Sequence, residues 1–281
     1  MSYHHRAPFR TGHRPAMPTR RPWSSAGLAV LLAITAAGCT TPRADIPAIG
    51  EVEADRLLFE RGAAALDEND WRRARQYFVE IRDNYPQSQY RAPARLGIGE
   101  SYEQEGSTEA YVRALAEFQD FLSLYPTHPR APFAQYKLGM VHFHQMRRAE
   151  RDQTETRNAI REFENFLDRY PTDAEWTSTV RARLREARDR LSEHDFTVGH
   201  FYYRAKFYPG AVNRFRQILD NDPEYSKRDA VYFYLGESYA VGQAIAEAIP
   251  YFARILEEFE ASEYADEARV RISELEPLLD R

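Results

Sequence analysis

From about residue 53 onward apolar positions recur at helical intervals, in blocks separated by turn residues. One spacing repeats along these blocks: an Ala, a Phe four residues later, and a Pro eight residues after the Phe. The sets are Ala74/Phe78/Pro86, Ala114/Phe118/Pro126, Ala159/Phe163/Pro171 and Ala211/Phe215/Pro223, and in a fifth, Ala248/Phe252, Glu260 takes the place of the Pro. Each set has a Gly upstream, at Gly62, Gly99, Gly139, Gly199 and Gly236. A chain that is self-similar in this way folds by stacking units that cannot bury their apolar faces alone. Each unit reads as two antiparallel helices brought close by Gly and Ala, with the Phe filling the space between them. The Pro ends the second helix, because it lacks an N–H and disfavours α geometry in the residue before it. The pattern predicts an all-α solenoid of five helix pairs with no strand of consequence.

This arrangement resembles the tetratricopeptide repeat, most completely in Leu235-Gly236-Glu-Ser-Tyr239 followed by Ala248 and Phe252. Two departures from the repeat carry information. The third unit has eight extra residues between its helices, within Arg147–Arg157, and insertions in a solenoid usually map to one exposed face. The stretch from Thr177 to about Lys206 contains no Pro and a single Gly, and Val180, Leu184, Ala187 and Leu191 recur at helical spacing, so it reads as one long first helix of repeat four. Its basic face (Arg181, Arg183, Arg185, Arg188 and Arg190) invites a nucleic-acid reading. Arg185–Asp189 and Glu186–Arg190 are (i, i+4) pairs, however, and such pairs mark a solvated helix face.

The N-terminal residues follow a different logic. Five Arg and no acid precede the apolar run Gly27–Gly38, which ends in small residues, the order of a secretory signal. Twelve helical residues reach about 18 Å, short of a hydrocarbon core of about 30 Å, so the run is expected to be removed rather than to span a bilayer. The sole cysteine of the chain, Cys39, follows Ala36-Ala-Gly38, which resembles the lipobox of bacterial lipoproteins, whose cysteine becomes the acylated first residue. Residues 1–38 are thus expected to be a lipoprotein signal peptide, of which 1–16 look superfluous, since Met17-Pro-Thr-Arg-Arg21 already forms a complete basic start. Residues 39–52, with two Pro and a Gly, read as an acylated tether, of which Thr40–Gly50 spans at most about 40 Å. Thr40 follows the cysteine where an Asp would imply retention at the inner membrane in similar lipoproteins, so outer-membrane placement is expected.

Loss of residues 1–38 removes five Arg and takes the formal charge from −5 to −10. A body so acidic lacks the basic face that phosphate neutralisation requires, so no nucleic-acid partner is expected. One cysteine excludes a disulfide framework. Candidate catalytic residues are sparse. His142 and His144 lie roughly 200° apart on a helix, too divergent to hold one metal. Glu193-His194-Asp195 diverge in the same way, and Gly97-Ile-Gly99 lacks the third glycine and preceding strand of a dinucleotide site. No catalytic residue, metal or cofactor is expected, and the chain reads as a non-enzyme.

Counting from each Gly places Phe59, Ala63, Leu66, Phe133, Tyr136, Met140 and Phe143 on the face of the first helices, with Glu100 and Glu103 between them. A groove of aromatic and Met side chains suits an apolar peptide, and the same residues equally suit packing against neighbouring helices. Over residues 51–275 the chain resembles the BamD family, lipoproteins of the outer-membrane β-barrel assembly machinery. Tyr125-Pro-Thr-His-Pro129, Arg151-Asp-Gln-Thr154, Arg188-Asp-Arg-Leu191, Val198–Tyr203 and Ala211-Val-Asn-Arg214 carry that resemblance, and all lie outside the generic repeat.

The resemblance implies a lipid-anchored scaffold on the periplasmic face of the outer membrane. Residues 53–175 (repeats one to three) would receive unfolded outer-membrane β-barrel proteins. Residues 176–281 (repeats four and five) would hold the membrane-proximal POTRA domain of BamA through Tyr202, Tyr208, Asn213 and Arg214, alongside other Bam lipoproteins. The alternative is a tetratricopeptide lipoprotein scaffold for a pilus or secretion-system secretin.

Overall fold

The computed structural model describes residues 53–279; the signal peptide, Cys39 and the tether lie outside the described residues. Eleven α-helices account for nearly all of the described chain, and no strand occurs among the described residues. They pair as α1 (Ala54–Asp67) with α2 (Trp71–Asn84), α3 (Arg91–Glu105) with α4 (Thr108–Leu124), α5 (Ala131–His144) with α6 (Thr154–Arg169), α7 (Thr177–Arg204) with α8 (Tyr208–Asn221) and α9 (Arg228–Val241) with α10 (Ile245–Glu258). The second helices stop where the sequence predicts. Tyr85, Tyr125, Tyr170 and Asp222 cap their C-termini immediately before Pro86, Pro126, Pro171 and Pro223. The α10 helix ends at the equivalent Phe259 with Glu260 in place of the Pro. Within a pair, the tight turn calls for a left-handed residue, supplied by Asn69, Gly106, Lys206 and Gln243 in repeats one, two, four and five.

The approach of the paired helices rests on one contact. A Cβ built on Gly62, Gly99, Gly139, Gly199 or Gly236 would sit 2.3–2.8 Å from the ring of Phe78, Phe118, Phe163, Phe215 or Phe252, respectively. No side chain fits there. Gly97, on the next first helix, presses on the opposite edge of Phe78 at 2.5 Å by the same measure. This assigns the Gly97-Ile-Gly99 pair to packing. Ala74, Ala114, Ala159, Ala211 and Ala248 are completely buried beside these rings. First helices pack on one another along the array (α1–α3, α3–α5, α5–α7, α7–α9), whereas successive second helices do not pack to that degree, so the array curves with its first helices inside.

The architecture departs from five bare pairs at its C-terminal end. An eleventh helix, α11 (Ala265–Leu275), covers α10 as the first helix of a sixth unit would. Its entry repeats a clasp seen between repeats one and two. Ser88 donates to Asp55 at 2.6 Å while Tyr90 stacks on Phe59, and Ser262 donates to Asp229 at 2.6 Å while Tyr264 stacks on Phe233. Without α11, the apolar face of α10 carrying Ile255 would meet water.

The predicted long helix is α7, 28 residues from Thr177 to Arg204. Its N-terminal half supplies Val180 and Leu184 to the core around Phe163 and Phe166, and its C-terminal half supplies Phe196, Tyr202 and Tyr203 to the core around Phe215. The helix therefore closes repeat three and opens repeat four, and the described residues belong to one compact unit. Of the two ion pairs expected on its basic face, Arg185–Asp189 forms at 3.1 Å. Glu186 instead pairs backward with Arg183 at 3.0 Å, and Arg190 donates to the carbonyl of Arg147, because the repeat-three insertion lies within its reach. Arg188 bridges to Glu164 on α6 at 2.7 Å.

The glycine–phenylalanine contact makes a direct prediction. Gly139→Ala places a methyl group 2.3 Å from the Phe163 ring and is expected to cost about 1–3 kcal/mol, read as a lower thermal midpoint by circular dichroism. Phe163→Leu in the same background should recover part of the loss by vacating that space.

Candidate polypeptide-binding surfaces

The residues expected to line a peptide groove split by burial. Phe133 and Met140 are 8% and 7% exposed and belong to the wall itself. Phe59, Ala63, Leu66, Tyr136 and Phe143 keep part of their surface open. Trp176, at the entry to α7, decides much of this: Tyr136 stacks on its indole at 4.7 Å and Phe133 packs on it at 5.3 Å. Phe143 rests on Phe163, and the Arg183 guanidinium lies 5.3 Å from its ring centre. The structure thus places Phe133 and Met140 in the packed wall and leaves the other predicted residues partly open.

The acids between them have separate roles. Glu103 is buried and accepts from the Lys137 ammonium at 2.7 Å, with the His144 ring 3.5 Å away. Glu100, one turn earlier, makes no hydrogen bond or ion pair to any described residue. Burial raises its pKa above the ordinary carboxylate range, against the opposing fields of Lys137 and Arg130.

The histidines do not converge. His142 meets Glu155 at 2.6 Å, His144 faces Glu103, and His194 bonds the carbonyl of Ala149 at 2.6 Å. Glu193 turns away from His194 to accept from Tyr225 at 2.6 Å and Lys227 at 2.8 Å. No cluster of three or more potential metal ligands occurs among the described residues.

At the other end, Tyr202 and Tyr208 flank the α7–α8 turn, while Asn213 and Arg214 lie further along α8. Tyr202 packs edge-on against Phe207 at 5.7 Å and Tyr208 against Tyr203 at 5.9 Å. Asn213 is exposed, and Arg214 donates only to Gln217, at 3.3 Å, with no ion pair among the described residues. Two further residues belong with them: Phe201 and Phe207, 66% and 55% exposed. The run of aromatics at 201–203 and 207–208 signals them, since a repeat needs no large apolar side chain at this turn. Thr197, His200, Phe201, Arg204 and Ala205 line an adjacent cavity of about 490 Å³. Burial, followed by the nearby Arg204 charge, lowers the pKa of His200. Exposed aromatic side chains at the α7–α8 turn and, further along α8, a guanidinium with no ion pair among the described residues are features that recur on protein-binding surfaces.

The family model for YfiO, described as outer membrane lipoprotein, matches residues 52–243. Among curated proteins, the chain is similar to the outer membrane protein assembly factor BamD of Caulobacter vibrioides, with 28% identity over 75% of this chain and 68% of that one. It is also similar to the protein of the same name from Vibrio cholerae, with 24% identity over 59% of this chain and 72% of that one. Among solved structures it is similar to the TPR2AB domain of yeast Sti1 in its pHSP90 complex, with 12% identity, coverage of 81% and 85% and a TM-score of 0.45.

The unpaired Glu100 sets a pH-dependent expectation. A carboxyl group with a raised folded-state pKa costs stability as pH rises from the unfolded carboxylate range through the folded value. Glu100→Gln should therefore raise the thermal midpoint at pH 7, and the gain should shrink toward pH 4, where the native side chain is already protonated; thermal unfolding at both pH values measures it.

Proposed function

Since the chain belongs to the YfiO family of outer membrane lipoproteins, we propose that it is a non-enzymatic scaffold of the β-barrel assembly machinery, anchored through acylated Cys39 on the periplasmic face of the outer membrane. Its C-terminal repeats dock the membrane-proximal POTRA domain of BamA, and its N-terminal repeats receive unfolded outer-membrane β-barrel proteins. The names of its curated relatives, outer membrane protein assembly factors, support the assembly role.

The observation that carries the docking assignment is the surface around Arg214. There Phe201 and Phe207 offer exposed apolar area, and Arg214 offers a charge that no described acid neutralises. Such a centre binds through buried aromatics, while the guanidinium selects an acidic counterpart. On the substrate side, support comes from the partly open Phe59, Tyr136 and Phe143, which suit the apolar side chains of an unfolded segment. No helix among the described residues is long and apolar enough to cross a membrane, in keeping with attachment by lipid.

Arg214→Glu is expected to reduce recovery of BamA in a pull-down from detergent-solubilised envelope by about tenfold or more, the scale of losing one charged contact at the centre of an interface. Unchanged recovery would remove the assignment. Depletion of the protein should deplete outer-membrane β-barrels generally; a defect confined to one pilus or secretin would favour the alternative scaffold role.

A further inference from the structure

The repeat-three insertion and the sequence Arg188-Asp-Arg-Leu191 are far apart along the chain, and generic repeat packing needs neither. The structure brings them together. Residues 145–153 connect α5 to α6, and rather than projecting they fold flat against α7, with Ala149 5% exposed. Gln153, 2% exposed, shapes the loop from inside: its side-chain amide donates to the carbonyls of Arg148 at 2.8 Å and Arg151 at 2.9 Å, and its oxygen accepts from Thr156 at 2.7 Å. The shaped loop then presents two carbonyls outward. Arg147 O accepts from Arg190 at 3.3 Å, and Ala149 O lies 2.6 Å from Nδ1 of His194.

A second loop reaches α7 from the other direction. Residues 222–227, between α8 and α9, grip positions on the repeat-three side of the helix. Asp222, 6% exposed, accepts a two-pronged bond from Arg185, one prong at 2.8 Å, and a further bond from Ser192 at 2.6 Å. The Ser226 amide donates to Asp189 at 3.0 Å, and Tyr225, fully buried, donates to Glu193 at 2.6 Å. Together the loops overlap on residues 185–194, the stretch over which α7 passes from the core of repeat three to that of repeat four. Repeat three reaches forward across the joint and repeat four reaches back.

We propose that these two loops form a reciprocal clasp that fixes the course of α7, and with it the angle between repeats one to three and repeats four and five. A 28-residue helix gripped on one side alone can curve or kink. Held from both sides, the joint transmits a displacement of one half to the other. As a coupling device the clasp rests on the division of labour proposed above; as a constraint on geometry it stands without it.

The test uses the full chain in a Cys39→Ser background, with spin labels on cysteines replacing Val112 and Val270, which are 64% and 54% exposed on α4 and α11. Because no partner is present, failure of BamA docking does not affect the result. In Gln153→Ala/His194→Ala the inter-label distance distribution is expected to broaden, and amides 147–151 to exchange about fivefold faster or more, as expected from lost loop hydrogen bonds. His194→Gln, which keeps a donor, should restore much of the narrow distribution. An unchanged distribution with faster loop exchange would overturn the proposal. If the double variant loses helix content, His194→Ala alone decides by the same comparison.

Discussion

Everything in this molecule depends on the phenylalanine ring that each second helix lays against a bare glycine backbone. The ring is large enough to stabilise the pair by about 1.5–3 kcal/mol when fully buried, and it can be buried only because the opposing position has no side chain. Five such contacts set the spacing within pairs. The apolar face of each second helix is left for the next first helix to cover, so the pairs must stack and the last one needs α11. The chain accordingly has no single centre, and its stability is a sum of neighbour contacts.

A solenoid of this kind offers long continuous surfaces, and α7 divides them. By serving two cores at once, with its N-terminal half in repeat three and its C-terminal half in repeat four, it carries the joint between them. Polar contacts concentrate at that joint: the Arg185–Asp222 pair, Ser192, the Tyr225–Glu193 bond and the loop carbonyls facing Arg190 and His194. The Arg185 guanidinium holds the Asp222 carboxyl below the usual carboxylate range, with Ser192 assisting, in opposition to the penalty of burial. The basic face of α7 is thus largely spent on internal bonds.

The two candidate binding surfaces differ in how complete they are. The α7–α8 turn displays aromatic rings and an uncommitted guanidinium already facing outward. The face of the first helices is partly self-filled, with Trp176 stacked on Tyr136 and Phe133 withdrawn into the wall. A segment bound there would meet the ring edges that remain and the lone Glu100 carboxylate, so its fit depends on chemistry at the wall rather than on a preformed cavity.

The repeat was legible in the sequence because each of its requirements is local: a residue too small to obstruct, one large enough to fill the gap, and one unable to continue a helix, at fixed offsets. Helix ends at Tyr85, Tyr125, Tyr170 and Asp222 follow from those offsets, and the length of α7 follows from a stretch with no Pro and a single Gly. What lies between distant segments was not legible. The eleventh helix carries no Phe of the repeat to announce it. Glu186 pairs with Arg183 because the insertion claims Arg190 across 43 residues, and no helical wheel contains that loop. Which groove residues stay open was likewise settled by Trp176, whose position depends on how α7 leaves repeat three. Composition and spacing determined the helices and their pairing, since those energies act within a few turns of chain. Only the assembled solenoid decided the joint, the clasp and the open faces, because they arise from competition among side chains that meet only after the helices have stacked.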